Sequence, residues 1–381
     1  MGTREALFSL QVLAQKCMDQ QKSLYICFVD FEKAFDKVPH ARLINSLVNL
    51  GIDEKDIQLI KNLYWHQMAK IRTKNTISTE IEICKGVRQG CILSLILFNV
   101  FSEELFKFAM ENISDGIKVN GETINSIRYA DDTVLMADTD VGLQNIMDSV
   151  QRACSDYGMK INVKKTKTMV ISKNQNIPIP FQIDGEVLEL VNRFKYLGSW
   201  IERDTNPDNE IRTRIEQARQ GFLRYKRLLS DPYLDLSLRL RLVKCYVWSI
   251  LLYGVESWTL KAGMFNKLEA FELWCYRRML RIPWTARVTN NEVLQKIGGE
   301  RELLHIIKIR KTTYLGHLLR NEKYELPQLI IEGKLEGKRG LGRKRLSWMR
   351  NIRNWTGMNF EQVLRTAQDR HAFANVIANL H

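Results

Sequence analysis

Two adjacent aspartates, in Tyr129-Ala130-Asp131-Asp132, lie between two apolar runs that read as β-strands. The pair therefore falls in the tight turn of a β-hairpin. A third carboxylate, Asp30, ends another strand-like run, Tyr25-Ile26-Cys27-Phe28-Val29. Carboxylate oxygens are hard ligands suited to Mg²⁺, with Mn²⁺ as a substitute. A strand-end aspartate facing a hairpin Asp-Asp pair is what a two-metal phosphoryl-transfer site needs. An Asp-Asp pair by itself is also ordinary turn chemistry. Asp30 and the flanking apolar strands favour the metal reading.

The elements that would position these groups follow from pattern. Thr3 to about Gln20 reads as a helix with Thr3 as its cap. Ser23–Asp30 is strand-like, and Phe31–Leu50 a turn and then a helix, with Pro39 near a boundary. Asp53–Trp65 reads as a helix, Ile71–Lys74 and Glu80–Cys84 as short strands. Gly86–Gly90 is a loop before a helix over Ile92–Met110. After the Asp-Asp hairpin come a helix over Val141–Tyr157 and strands over Thr166–Ser172 and Phe194–Ile201. That order is a split βαβ sheet, in which Asp30 and the Asp-Asp turn lie on neighbouring strands. Beyond Asp204 the pattern becomes helical: Asn209–Leu229, Leu236–Leu252, Met264–Leu280 and Leu303–Leu319. Gly333–Lys344 is a Gly/Lys/Arg-rich loop.

Five segments carry a resemblance. Phe28-Val29-Asp30-Phe31-Glu32-Lys33-Ala34-Phe35-Asp36 resembles the first palm motif of reverse transcriptases. Arg88-Gln89-Gly90-Cys91-Ile92-Leu93-Ser94 resembles the second, and Tyr129-Ala130-Asp131-Asp132 the third. Gly158-Met159-Lys160-Ile161-Asn162 with Lys165-Thr166-Lys167 resembles the fourth, and Phe194-Lys195-Tyr196-Leu197-Gly198 the fifth. Together they look like the polymerase of a non-LTR (LINE-type) retrotransposon. Glu256-Ser257-Trp258, Tyr276-Arg277-Arg278, Gly316-His317 and Gly340-Leu341-Gly342-Arg343 extend the likeness to nearly the whole chain.

The resemblance implies an α+β fold: a ferredoxin-like palm with partial fingers over 1–205, a helical thumb over 206–262 and a basic helical region over 263–381. It implies RNA-directed DNA synthesis with an RNA template, a DNA primer or target, dNTPs and two Mg²⁺ ions. Asp30 and Asp131 would hold the metals with the Phe31 carbonyl, and Asp132 would support them. Phe35 would be the gate against a ribose 2′-hydroxyl. Arg88, Gln89 and Gly90 would meet the nucleotide. Lys165, or Lys167 beside it, would protonate pyrophosphate. Phe194, Tyr196, Leu197 and Gly198 would grip the primer. Leu95 stands where the family has proline, which predicts a looser loop and reduced activity. The stretch before Asp30 looks too short for the family's fingers strands and carries no endonuclease pattern, so the chain is expected to be the N-terminally truncated, C-terminal part of a longer element protein. The alternatives are a catalytically silent nucleic-acid-binding remnant and an RNA-templated RNA polymerase, the latter opposed by Phe35.

Charge supports a polyanion partner. Residues 1–205 carry 25 Lys and Arg against 26 Asp and Glu, whereas residues 206–381 carry 32 against 17. A basic excess confined to one half points to nucleic acid before a membrane surface. Arg212, Arg214, Arg219, Arg224, Lys226 and Arg227 are phosphate candidates, and Lys338–Arg345 a nucleic-acid arm or nuclear-import patch. The tryptophans read as core more than as base platforms. The seven cysteines lack zinc-site spacing and imply free thiols in a reducing compartment. No apolar run reaches membrane-spanning length, and the first residues do not read as a signal peptide. Kinship with elements that act at chromosomal DNA implies the nucleus.

Overall fold

Strand β1, Leu24–Val29, is buried on both faces, so its apolar residues run on without alternation. It is the centre of a five-stranded sheet in the computed structural model, which describes residues 2–65, 67–74, 76–88, 90–173, 179–336 and 347–380. The other strands are β2 (Ser126–Tyr129), β3 (Asp132–Ala137), β4 (Lys167–Ile171) and β5 (Glu189–Leu190). Their order is β5-β4-β1-β3-β2. β3 runs antiparallel between β1 and β2, β4 is antiparallel to β1, and β5 is parallel to β4. This is the expected split βαβ, ferredoxin-like sheet.

Contacts divide the chain into two compact units, Lys22–Asn192 and Met1–Gln21 with Arg193–His381. In the first, helices Ile92–Met110 and Asp140–Asp156 pack on each other, and the second also lies on β1 and β3. Cys27, Val29, Leu135 and Ala137 from the sheet join Phe98, Phe101, Ile146 and Val150 from these helices in one apolar core. Helix His40–Asn49 packs outside Ile92–Met110. Thr139 caps the Asp140–Asp156 helix by accepting from the Gly142 N–H.

Among its described residues the second unit is mainly helical, with one hairpin, β6 (Arg193–Tyr196) and β7 (Ser199–Glu202). The opening helix, Thr3–Asp19, packs against Glu325–Glu332, and its Phe8 meets Trp348 edge-on at 4.9 Å. Trp248, Trp258 and Trp348 are fully buried, as core residues should be. All seven cysteines are free thiols.

Four local expectations need correcting. Thr3 lies inside its helix; the Glu5 carboxylate instead accepts from the Gly2 N–H at 2.8 Å. Ile71–Lys74 is not a strand but a single bridge, Arg72 with Ile77, and the short pairing there joins Met68–Ala69 to Ile81–Glu82. Phe194–Ile201 is not one strand, because Leu197 and Gly198, at φ +44° and +80°, fold it into the β6–β7 hairpin. The Leu236–Leu252 helix is interrupted by a π-helical stretch at Lys244–Trp248. The basic loop Lys338–Arg345 lies outside the described residues.

Candidate active site

The β1–β3 pairing places the carboxylates. Val29 pairs with Thr133, so Asp30 and Asp132, each one residue beyond that pair, stand at the same end of neighbouring strands. Tyr129 pairs with Asp132, leaving Ala130-Asp131 as a two-residue turn. Ala130 takes φ +52°, a left-handed backbone that costs a residue with a Cβ roughly 1 kcal/mol. The hairpin thus holds a strained apex beside the two aspartates.

The backbone around Asp30 is sewn to the segment Lys160–Thr166. The Asn162 N–H donates to the Asp30 carbonyl at 2.7 Å, and the Glu32 N–H to the Lys160 carbonyl at 2.8 Å. These two bonds form the bridge between Phe31 and Ile161. Neither uses the Phe31 carbonyl. The Asp30 N–H itself donates to the hydroxyl of Thr166, a fully buried side chain, at 3.2 Å. Asn162 and Thr166 are therefore positioning residues. Their place in the fourth motif was the available signal, though spacing alone gave them no role.

Charge in the cluster is unbalanced. Burial pushes the Asp30 carboxyl up, Asp131 adds to this, and Lys165 and a hydrogen bond from the Asn162 side chain oppose it. Asp132, whose side chain reaches water but is partly desolvated by its neighbours, is pushed up to about 6, first by that desolvation and then by Asp131 and Asp30. Lys165 Nζ stands 4.0 Å from Asp30 Oδ1. Lys167 is occupied elsewhere, donating to the Lys164 carbonyl and to Glu189, each at 2.7 Å. Glu32 pairs with Lys37 at 3.0 Å and Lys160 at 3.2 Å, which holds its carboxyl low.

The loop of the second motif is tied to the segment after Asp30. The Val87 N–H donates to the Phe35 carbonyl and the Gly86 N–H to the Val38 carbonyl, both at 2.8 Å. At Gly86, φ is +99° and a Cβ would meet the Asp36 carbonyl oxygen at 2.9 Å, so only glycine fits. Gly90, at φ +84°, faces open space. Phe35 is half-buried and stacks on Phe98 with ring centroids 4.6 Å apart. Arg88 donates to the Leu63 carbonyl at 2.8 Å and to Gln67 at 3.3 Å, an anchor for the loop. Gln89 lies outside the described residues. Leu95 sits in the first turn of the following helix, 44 % exposed, beside Ile92 at 91 %.

The structure thus brings Asp30, Asp131, Asp132 and Lys165 together and links Phe35 to the Arg88–Gly90 loop. The Phe194–Gly198 segment belongs to the other compact unit. Tyr196 is buried in β6, and Leu197 and Gly198 form the turn. Arg214 is no free phosphate contact: it is buried, donates to Glu210 at 2.7 Å and to the Gly198 carbonyl at 2.5 Å, and so pins that turn.

Residues 2–201 match the family described as reverse transcriptase (RNA-dependent DNA polymerase). The chain belongs to the reverse transcriptase family. Its relatives are retrotransposon proteins, as the non-LTR resemblance implied. It is 26% identical to the Pol polyprotein of the type-2 retrotransposable element R2 of Drosophila melanogaster, over 85% of this chain and 31% of that one. It is 27% identical to a transposon-derived protein of Caenorhabditis elegans, over 62% of this chain and 87% of that one. The chain thus spans about a third of the R2 polyprotein and most of the nematode protein. Among solved structures, apo telomerase of Candida tropicalis aligns over 87% of this chain and 56% of its own, at 14% identity and a TM-score of 0.39.

Reverse transcriptases use divalent metal ions. The donor chemistry here fits such an ion: hard carboxylate oxygens, solvent-facing at Asp131 and Asp132, whose mutual repulsion a cation relieves. Among the described residues no three His, Cys, Asp or Glu side chains lie close enough together to hold one. Among those residues, too, no helix is long and apolar enough to cross a membrane.

Proposed function

We propose that this reverse transcriptase carries out RNA-directed DNA synthesis, joining a dNTP to a primer 3′-hydroxyl. The observation that supports the reading is the pairing of Val29 with Thr133, after which Asp30 and Asp132 stand at the same end of neighbouring strands, with Lys165 4.0 Å from Asp30. Asp30, Asp131 and the Phe31 carbonyl would hold two Mg²⁺ ions, with Asp132 in support. Bound there, the ions would lower the pKa of the 3′-hydroxyl and neutralise the triphosphate. Lys165 donates a proton to the pyrophosphate leaving group. Phe35, buttressed by Phe98, excludes a 2′-hydroxyl by bulk. Gln89 and Gly90 meet the nucleotide while Arg88 anchors their loop. The turn at Leu197-Gly198, pinned by Arg214, supports the primer. The basic helices of residues 206–262 act as the thumb on a template–primer duplex, and the work is done at chromosomal DNA in the nucleus.

The test is primer extension on an RNA template with dNTPs and Mg²⁺, beside the double variant Asp131→Asn/Asp132→Asn. Extension lost only in the variant is the expected result. RNA binding without extension would mean that the fold outlasted its chemistry. Equal use of NTPs would favour an RNA polymerase.

A further inference from the structure

The helical unit contains a cleft of about 650 Å³ lined by Lys226, Arg227, Trp274, Arg277, Arg278 and Arg281. Five of the nine described residues that line it are cationic, and none of the nine is acidic. Such a concentration of like charge is unfavourable unless an anion neutralises it. Two of the five are held by the protein. Arg277 donates to the Val288 carbonyl and to Asn290, both at 2.9 Å, and Arg281 donates to the Ser230 carbonyl at 2.7 Å. These bonds fix the guanidinium groups without neutralising them. Lys226, Arg227 and Arg278 are exposed and make no ion pair among the described residues.

Trp274 gives the cleft a second kind of chemistry. It is only partly buried, whereas Trp248, Trp258 and Trp348 are fully enclosed. Its ring rests on Phe271, nearly parallel at 14°, and meets Phe222 edge-on, so its plane is fixed. Arg219 and Arg278 lie 5.2 and 5.4 Å from its centroid. A fixed aromatic face among cations is how proteins hold unpaired bases with their phosphates.

We propose that this cleft binds a single-stranded nucleic-acid segment, one base stacked on Trp274 and the flanking phosphates on Lys226, Arg227 and Arg278. The volume suits one or two nucleotides. A duplex, whose bases are already stacked, offers no free base to the tryptophan. The site does not depend on the polymerase reading, because a chain silent at its aspartates would still bind here.

The test is fluorescence anisotropy with a labelled single strand of about ten nucleotides. It uses the full chain, in EDTA and without dNTPs, so that failure of catalysis cannot be mistaken for failure of binding. The affinity is followed between about 50 and 200 mM salt. Lys226→Gln/Arg227→Gln/Arg278→Gln should make the log–log salt dependence shallower by about 2, at roughly 0.7 per lost phosphate contact. Trp274→Leu should weaken binding about five- to a hundredfold and leave that slope unchanged. Trp274→Phe should retain most of the affinity, and circular dichroism checks each fold. If Trp274→Leu does not fold, the slope of the triple variant and the Phe variant decide. RNA and DNA single strands should both bind, and both should lose affinity in the same variants. An unchanged slope, an unchanged affinity in folded Trp274→Leu, or loss of affinity in folded Trp274→Phe overturns the proposal.

Discussion

Replacing Asp132 by Asn should stabilise the metal-free protein while it damages the site. Asp132 follows the Val29–Thr133 pair on the strand beside Asp30 and is adjacent to Asp131, and its carboxyl is pushed up from 3.8 to about 6. A carboxyl raised in the folded state destabilises that state once it ionises. Below its unfolded value of 3.8 it is protonated in both states and costs nothing. As pH rises from there to about 6, the unfolded chain releases its proton first and folding loses ground; above that the full penalty stands. Two pKa units correspond to roughly 3 kcal/mol. Asp132 is exposed to solvent, so screening reduces this to about 1–1.5 kcal/mol. For a unit of this size that is about 2–5 °C in Tm.

The assay is thermal unfolding in EDTA of the native protein and Asp132→Asn, at neutral pH and near pH 4. The variant should melt higher at neutral pH, and the gap should close in acid. Millimolar Mg²⁺ should then raise the native protein's Tm by mass action and the variant's by less. A variant no more stable than the native protein at neutral pH, or a gap that persists in acid, would refute the electrostatic account.

The remaining predictions concern neighbours of the site. Lys165→Met should slow single-turnover incorporation about a hundredfold, while Lys167→Met, whose amine is already held by Lys164 and Glu189, should stay near the native rate; equal effects would remove Lys165 from the proton transfer. Phe35→Ala should raise NTP use relative to dNTP by about tenfold and cost about 1–3 kcal/mol in urea unfolding, because it empties the stack on Phe98. Arg214→Met should cost about 3–5 kcal/mol by stranding buried Glu210, and Glu210→Gln in the same chain should restore part of it.

The sheet and its carboxylates were legible because their determinants are short. A strand such as Leu24–Val29 announces itself by apolar β-formers, and Asp131-Asp132 by its place between two such runs. What could not be read depends on contacts distant in sequence. Nothing in Phe194–Ile201 shows that Leu197 takes φ +44°; that conformation is held from outside, by Arg214 on the Gly198 carbonyl and by the Tyr253 hydroxyl on the Leu197 carbonyl at 2.7 Å. Arg214 looked like any cation on a basic helix until Glu210 four residues before it proved buried as well. The face of the opening helix was plain from its period. Its partners were not, because Gln15 reaches Thr259 and Lys16 the carbonyls of Ile331 and Gly333 across more than two hundred residues.

The fourth motif shows why residue type alone understates a site. Lys160–Thr166 supplies one cation near Asp30, but it also holds the backbone there. It takes the N–H of Glu32, gives an N–H to the carbonyl of Asp30, and offers the Thr166 hydroxyl to the N–H of Asp30. Asp30 stands just past the end of β1, where the sheet no longer holds it. Without that segment the strand end would fray, and the distance from Asp30 to Asp132 would vary by more than a metal–oxygen bond tolerates. The buried hydroxyl of Thr166 is thus as much a condition of the site as the charge of Lys165: one fixes where the carboxylate is, and the other faces it across 4.0 Å.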